Sequence, residues 1–390
     1  MTVDAADPDA SVPHEEATAG PLSGLLVADL SRVLAGPYAT MLLADLGAEV
    51  VKVERPGAGD DTRAWGPPYG ADGQSTYFQS VNRNKRSVAL DLRDGDDLAR
   101  ARELALAADV LVENFRPGAL DRMGLGYEAL AAENPRLVYC SISGFGRGAG
   151  ADLPGYDLLV QAMGGLMSIT GPGPGEPTKA GVAVVDVLTG LHATVGILAA
   201  LRERDRTGLG QRVEVTLLTS LLSALVNQAS AYVGAGVVPG ILGNAHPSIS
   251  PYEVYPASDR PLVVAVGNDG QFRALAGVLG VPGLADDERF ATNPARVTHR
   301  AALKAELDAV LATRTADEWQ AALTAAGVPC GPINDLASAF ALAERLGLQP
   351  VASIADPRRD EPVPTVAHPV RLSRTPATYR TAPPRVGEDG

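Results

Sequence analysis

Cysteine is almost missing from this chain: 390 residues hold two, Cys140 and Cys330. They lie far apart and outside any paired ligand spacing, which excludes a disulfide framework and a CxxC zinc site and fits a reducing, cytoplasmic setting. Histidine is scarce as well. The five histidines, at 14, 192, 246, 299 and 368, form no HxxxH or HxxE arrangement, so no metal site is expected. Positive charge is in deficit, with a formal net charge of −13, and that argues against a protein that wraps a polyanion; no nucleic-acid partner is expected.

Long hydrophobic runs are also lacking. The longest apolar stretch, Val187 to Leu201, is interrupted by Thr189, His192 and Thr194, so no membrane segment is expected. Residues 1–20 carry five acidic residues and no Lys or Arg, unlike the basic start and apolar middle of a secretory signal; they read as a disordered acidic leader. Three catalytic fingerprints are absent too: GxGxxG between a strand and a helix, the GxxxxGK phosphate loop, and the GxSxG elbow. Nicotinamide, P-loop and serine-hydrolase chemistries lose their main support.

What is present is a regular alternation. Segments 25–31, 48–54, 87–92, 110–115 and 137–146 read as strands, and stretches near 37–47, 96–109 and 118–135 read as helical. This is the pattern of an α/β protein with a mostly parallel, doubly wound sheet, in which ligands bind beyond the carboxyl ends of the strands. A long helix is expected from about Thr189 to Thr207, closed by Gly208. Residues 252–267 read as a β-hairpin turning at Ser258, Asp259 and Arg260, followed by helical patterns to about Ala326. The division expected is the leader at 1–20, a large Rossmann-like domain at 21–224, a smaller α+β domain at 225–330, and a C-terminal segment, 331–390, returning to the large domain.

Two groups of residues carry chemical interest. Asp186 ends an apolar run in GVAVVDVLTG, and its expected place at a helix start would let backbone N–H groups stabilise its charge; a simple capping role is the competing reading, as it is for Asp157. Basic residues gather in VNRNKRSVALDLR, where Arg83, Lys85, Arg86 and Arg93 face a single Asp91, with Arg55, Arg116 and Arg122 near strand ends. Such a cluster suits a ligand with several phosphates, although surface solvation is the commoner fate of any one arginine. His192 reads as a packed core residue.

In order along the chain, LAGPYATMLLADLGAEVVKVERPGAGD, FQSVNRNKRSVALDL, DVLVENFRPGALDRMGLGYEAL, GYDLLVQAMGG, DVLTGLHATVGILAALRERDRTGLGQRVEVTL, GNAHPSISPYEVYPASD, VAVGNDGQF and AAGVPCGPIND resemble the class III CoA-transferase family of the CaiB/BaiF type. That family includes formyl-CoA transferase, carnitine CoA-transferase and α-methylacyl-CoA racemase. The resemblance implies a Rossmann-like large domain and a smaller one in an interlocked-ring homodimer. It implies no permanently bound cofactor, with coenzyme A entering as the acyl-CoA substrate and a small carboxylic acid as its partner. Asp186 matches the family's catalytic aspartate. Val33, Leu34, Ala35, Arg55, Leu90, Asp91, Leu92, Arg93, Asn114, Phe115, Arg122, Tyr156 and Asp157 fall on positions that line the CoA site.

Two chemistries occur in this family. In the transferases the aspartate is a nucleophile that carries CoA as an aspartyl thioester; in the racemases a histidine and an aspartate move the α-proton. The racemase histidine sits in a GHD motif, whereas this chain reads Gly155-Tyr156-Asp157, and tyrosine, with a pKa near ~10, is a poor replacement base. Acyl-CoA:carboxylate CoA-transfer through Asp186 is therefore expected, with α-substituted acyl-CoA racemisation as the alternative. The formyl-CoA transferase branch has glutamine where Leu34 stands and a basic residue where Pro154 stands, departures that point away from oxalate and formate.

Overall fold

The structure, a computed structural model, describes residues 20–390, so most of the expected leader lies outside the described residues. The chain forms two compact units. The first comprises the chain up to Val160, Val182–Ala224 and Pro350–Gly390, and the second comprises Gln161–Gly181 and Leu225–Gln349.

The first unit is built on six parallel strands: β1 (Leu26–Asp29), β2 (Glu49–Glu54), β3 (Lys85–Ala89), β4 (Val110–Glu113), β5 (Val138–Ser143) and β6 (Arg212–Thr216). Their spatial order is β3-β2-β1-β4-β5-β6, so the sequence runs outward from β1 in both directions and leaves a crevice at the carboxyl ends of β1 and β4. The expected α/β class is what these strands form. Their β-branched runs are buried on both faces, as a sheet covered by helices requires: Val27, Val50, Val110, Leu111 and Val112 are all nearly inaccessible.

One helix spans Val184–Thr207, five residues longer at its start than the sequence predicts, and ends at Gly208 with φ +78°, the left-handed cap expected there. It contains a window of mean hydropathy 1.8, long and apolar enough by composition to cross a membrane, which the interrupted apolar run did not suggest; 44% of that window is buried in the protein. Close packing explains part of that burial. A Cβ on Gly190 would stand 2.7 Å from the Ala35 carbonyl oxygen, so only glycine lets this helix approach the helix Ala35–Asp45 so closely.

In the second unit β7 (Tyr252–Tyr255), β8 (Leu262–Ala265) and β9 (Cys330–Pro332) form an antiparallel sheet, with the expected turn between β7 and β8. Helices at Asp269–Val278, Arg300–Leu311 and Ala316–Ala325 bring Phe272, Leu275, Leu303, Leu307 and Trp319 to a common core. The boundaries differ from the expected 225–330. Residues 161–181 join this unit because Gln161 binds the Ala180 N–H and Gly171 packs against Glu176 and Ile241. The return to the first unit begins at Pro350 rather than at 331, with the hairpin β10 (Val351–Ile354) and β11 (Val363–Val366). Beyond it, Asn84 bonds the backbone at Thr378, Arg380 and Thr381, and the Ser87 N–H donates to Asp389.

Beneath the crevice lies a set of buried ions. Lys52 Nζ stands 2.9 Å from Asp60 and Lys85 Nζ 3.1 Å from Asp29, and all four side chains are closed to solvent. Burial raises the Asp29 pKa, but Lys85 and Lys52 outweigh it and hold the carboxyl at about 2; burial brings Lys85 down to about 8. Removing one member strands a partner. Lys52→Met should therefore cost about 3–5 kcal/mol in equilibrium urea unfolding. Arg86→Met, which cuts an exposed pair to Glu49, should cost less than about 1 kcal/mol. Equal costs would show that the buried ions carry no special burden.

Candidate active site

The loop after β1 is fixed from below and from both sides. Lys52 Nζ donates to the Ser31 carbonyl at 2.8 Å, Asn114 accepts from the Arg32 N–H at 2.9 Å and donates back to the Arg32 carbonyl at 2.7 Å, and Asp60 accepts from the Val33 N–H at 3.2 Å. These bonds hold Val33 at φ +72°, a left-handed conformation that costs a β-branched residue about 1–3 kcal/mol. Val33, Leu34 and Ala35 thereby form one wall of a cavity.

Two cavities open at the strand ends. One, of about 200 Å³, is lined by Arg55, Leu90, Asp91, Leu92, Arg93 and Phe115 together with Arg32 and Met123. The other, of about 230 Å³, is lined by Val33, Leu34, Ala35, Asn114, Phe115, Tyr156, Asp157 and Asp186, with Arg116 and the glycine-rich 144–155 loop. Arg32 and Phe115 belong to both walls, so the cavities meet there. Of the residues expected at the site, Arg122 alone lines neither, and it is exposed.

The basic cluster separates on inspection. Arg93 and Arg55 reach the first cavity, each paired to a neighbouring carboxylate, Asp91 and Asp61. Arg83 and Lys85 are instead buried on Asp45 and Asp29, and Arg86 pairs with Glu49 on the surface. Alternation along β3 sends Arg86 to the opposite face from Lys85, and the buried carboxylates Asp45 and Asp29 hold Arg83 and Lys85 away from any ligand.

Asp186 is the third residue of the helix Val184–Thr207. Ala183, at the cap position, has no side-chain acceptor, and the Oδ1 of Asp157 takes that place: it accepts from the Val185 N–H at 2.8 Å and the Asp186 N–H at 3.2 Å. This corrects the expectation that those N–H groups stabilise Asp186. Burial first, and then the Asp157 carboxylate, push the Asp186 pKa up to about 7. Among the described residues no cation pairs with it.

The surroundings of Asp186 hold a residue that the sequence reading missed. Tyr77 is half-buried against the cluster of Leu34, Met41 and Val81, and burial together with Asp186, Asp157 and Asp60 raises its phenol to about 12. It stays a protonated donor at any physiological pH. In the sequence it looks like one more core aromatic, standing immediately before FQSVNRNKRSVALDL. His192 departs from its expected role, since it is exposed on the helix beside Leu191.

Asp186 carries a consequence for stability. Its folded-state pKa lies above the ordinary 3.8, so its contribution is full below that value and is lost as pH rises through about 7. Asp186→Asn, which stays neutral, should melt above the unsubstituted protein at about pH 8, with the gain shrinking towards about pH 5. A pH-independent difference would contradict the raised pKa.

Comparison with known proteins places this geometry. The family described as CoA-transferase family III matches residues 22–390. A succinate–glutarate CoA-transferase of Agrobacterium fabrum is 47% identical over 381 residues, 94% of this chain and 93% of that one. An acetyl-CoA:oxalate CoA-transferase of Acetobacter aceti is 46% identical over 82% of each chain. The crystal structure of a CaiB/BaiF family protein from Brucella suis superposes with a TM-score of 0.84 at 44% identity, covering 95% of this chain and 97% of that one. The chain belongs to CoA-transferase family III, as its sequence resemblance implied, and is a CoA-transferase of that family.

Proposed function

We propose that this enzyme moves CoA between an acyl-CoA and a dicarboxylic acid through an aspartyl-CoA thioester on Asp186. The observation that carries this reading is Asp186 itself: a carboxylate with no cationic partner among the described residues and a pKa near 7, facing a cavity at the strand ends. A nucleophile poised near neutrality is ionised often enough to attack and basic enough to bond well.

The steps balance without ATP. An Asp186 oxygen attacks the thioester carbonyl and expels CoA thiolate, leaving a mixed anhydride. The thiolate attacks the aspartyl carbonyl and releases the first acid, which leaves with one oxygen from Asp186. The acceptor carboxylate then attacks the aspartyl thioester, and the expelled thiolate attacks the acceptor's carbonyl carbon in the new anhydride. One thioester has replaced another.

Substrate class follows from the relatives and from the wall. Succinate, glutarate and oxalate name the relatives' acids, and the apolar lining that Leu34, Phe145, Leu153 and Leu217 give the cavity of Asp186 suits the methylenes of four- and five-carbon diacids better than oxalate. The cavities at Arg55, Leu90–Arg93 and Phe115 are assigned to CoA, with Arg55 and Arg93 as phosphate partners. Racemisation would need a second base beside Asp186. In its cavity Asp61 is paired with Arg32 and Arg55, Asp157 holds the helix, and Tyr156 is an exposed phenol.

A homodimer belongs to the same reading. Val195, Val226, Val233 and Val238 are 66–83% exposed in the single chain, apolar surface that a second copy would cover. Analytical ultracentrifugation should give a dimer, and a monomer at working concentration would remove that element.

Intact-mass spectrometry after mixing with succinyl-CoA or glutaryl-CoA should find a CoA adduct that hydroxylamine removes and Asp186→Ala abolishes. No adduct, with α-proton exchange into deuterated solvent, would favour the racemase chemistry.

A further inference from the structure

We infer that Asp157 is a positioning residue: by occupying the backbone N–H groups of Val185 and Asp186, it denies them to the Asp186 side chain and so keeps the nucleophile unpaired. The inference rests on the covalent reading above and deepens it.

A carboxylate in the first turn of a helix ordinarily gains from the orphan N–H groups and the positive end of the helix dipole. That gain makes it a weaker base and a weaker nucleophile. Here the cap residue is Ala183, which offers no acceptor, so the orphan donors of a helix of 24 residues need another partner. Asp157 Oδ1 supplies it across 28 residues of chain, bonding Val185 at 2.8 Å and Asp186 at 3.2 Å.

Three consequences follow. The helix N-terminus is anchored to the segment that begins the helix Asp157–Met163, which sets where Asp186 stands. The N–H dipoles point at Asp157 and not at Asp186. The Asp157 charge, second to burial, also favours the protonated and more basic form of its neighbour. The other charged or titratable groups sharing the cavity are Asp61, held by Arg32 and Arg55, the exposed Arg116, and Tyr156; Tyr77 adds a neutral phenol.

Charge and capping can be separated by substitution. Asp157→Asn retains an oxygen for the two N–H groups and removes the charge, whereas Asp157→Ala removes both. For Asp157→Asn the account expects KM for the acyl-CoA within about twofold of the unsubstituted enzyme, a lower kcat, and an acid limb of kcat/KM moved to lower pH. For Asp157→Ala it expects a kcat loss of about a hundredfold, as for a nucleophile displaced by about 1 Å, with faster amide exchange over residues 184–187.

Amide exchange is read whether or not the variant turns over, and faster exchange confined to residues 184–187, with the rest of the chain unaltered, separates a lost cap from general unfolding. An unmoved acid limb in Asp157→Asn, or a change confined to KM in both variants, would make Asp157 a substrate contact and overturn the inference. Unaltered exchange in Asp157→Ala would overturn it equally. If Asp186→Ala keeps full turnover, the covalent reading itself falls and this inference falls with it. If Asp186→Ala is dead while Asp157→Asn behaves as the unsubstituted enzyme, the positioning role alone falls.

Discussion

Four ionised side chains without access to water, Lys52, Lys85, Asp29 and Asp60, stand beneath the strand ends, and the shape of the site descends from them. Buried ions are tolerated only where each finds its counterpart and its remaining hydrogen bonds. Here those hydrogen bonds end on the loop after β1 and the first turn of the helix that follows it: Lys52 on the Ser31 carbonyl, Asp60 on the Val33 N–H, and Lys85 on the Pro37 carbonyl. The ions therefore pin a segment that would otherwise relax. Val33 keeps its unfavourable backbone angle because the surrounding bonds outweigh the strain, and the wall facing Asp186 is rigid as a result.

On that wall the chemistry turns on what Asp186 does not touch. Its helix N-terminus is satisfied by Asp157, its charge reaches the Tyr77 phenol, the cavity it lines has apolar walls at Leu34 and Leu217, and no cation neutralises it among the described residues. A carboxylate so placed is a better nucleophile than one on the surface. On the proposed covalent route, the same isolation favours passing on an acyl or CoA group from Asp186 over stabilising it in place. Preorganisation of this kind is settled in folding, so little rearrangement is left for the reaction.

Much of this was legible in the chain, for identifiable reasons. The strands declared themselves through runs such as AEVVKVE and VLVENF, and the order of segments carried the family. Side chains with a single conspicuous property misled. The basic run at 83–93 looks like one surface for phosphates, whereas buried carboxylates in the interior, Asp29 and Asp45, claim Lys85 and Arg83. Lys52 lies inside a strand pattern, and nothing in the sequence shows its link to Asp60, eight residues on. The start of the long helix was placed five residues late because its cap comes from Asp157, a contact across the fold that no local pattern contains. The true limits of the second unit depend likewise on tertiary contacts around Gly171 and β9.

The account makes Asp186 the atom-by-atom carrier of CoA, and oxygen exchange follows from that alone. In the aspartyl-thioester route the acceptor acid leaves one of its own carboxylate oxygens on Asp186 in each turnover. The decisive measurement is peptide mass spectrometry of the segment around residue 186 after turnover with an acceptor acid labelled with oxygen-18 in its carboxylates. Label on Asp186, absent when the acyl-CoA donor is omitted, is the predicted result. Full conversion of the labelled acid to its CoA thioester with no label on Asp186 would contradict the covalent account.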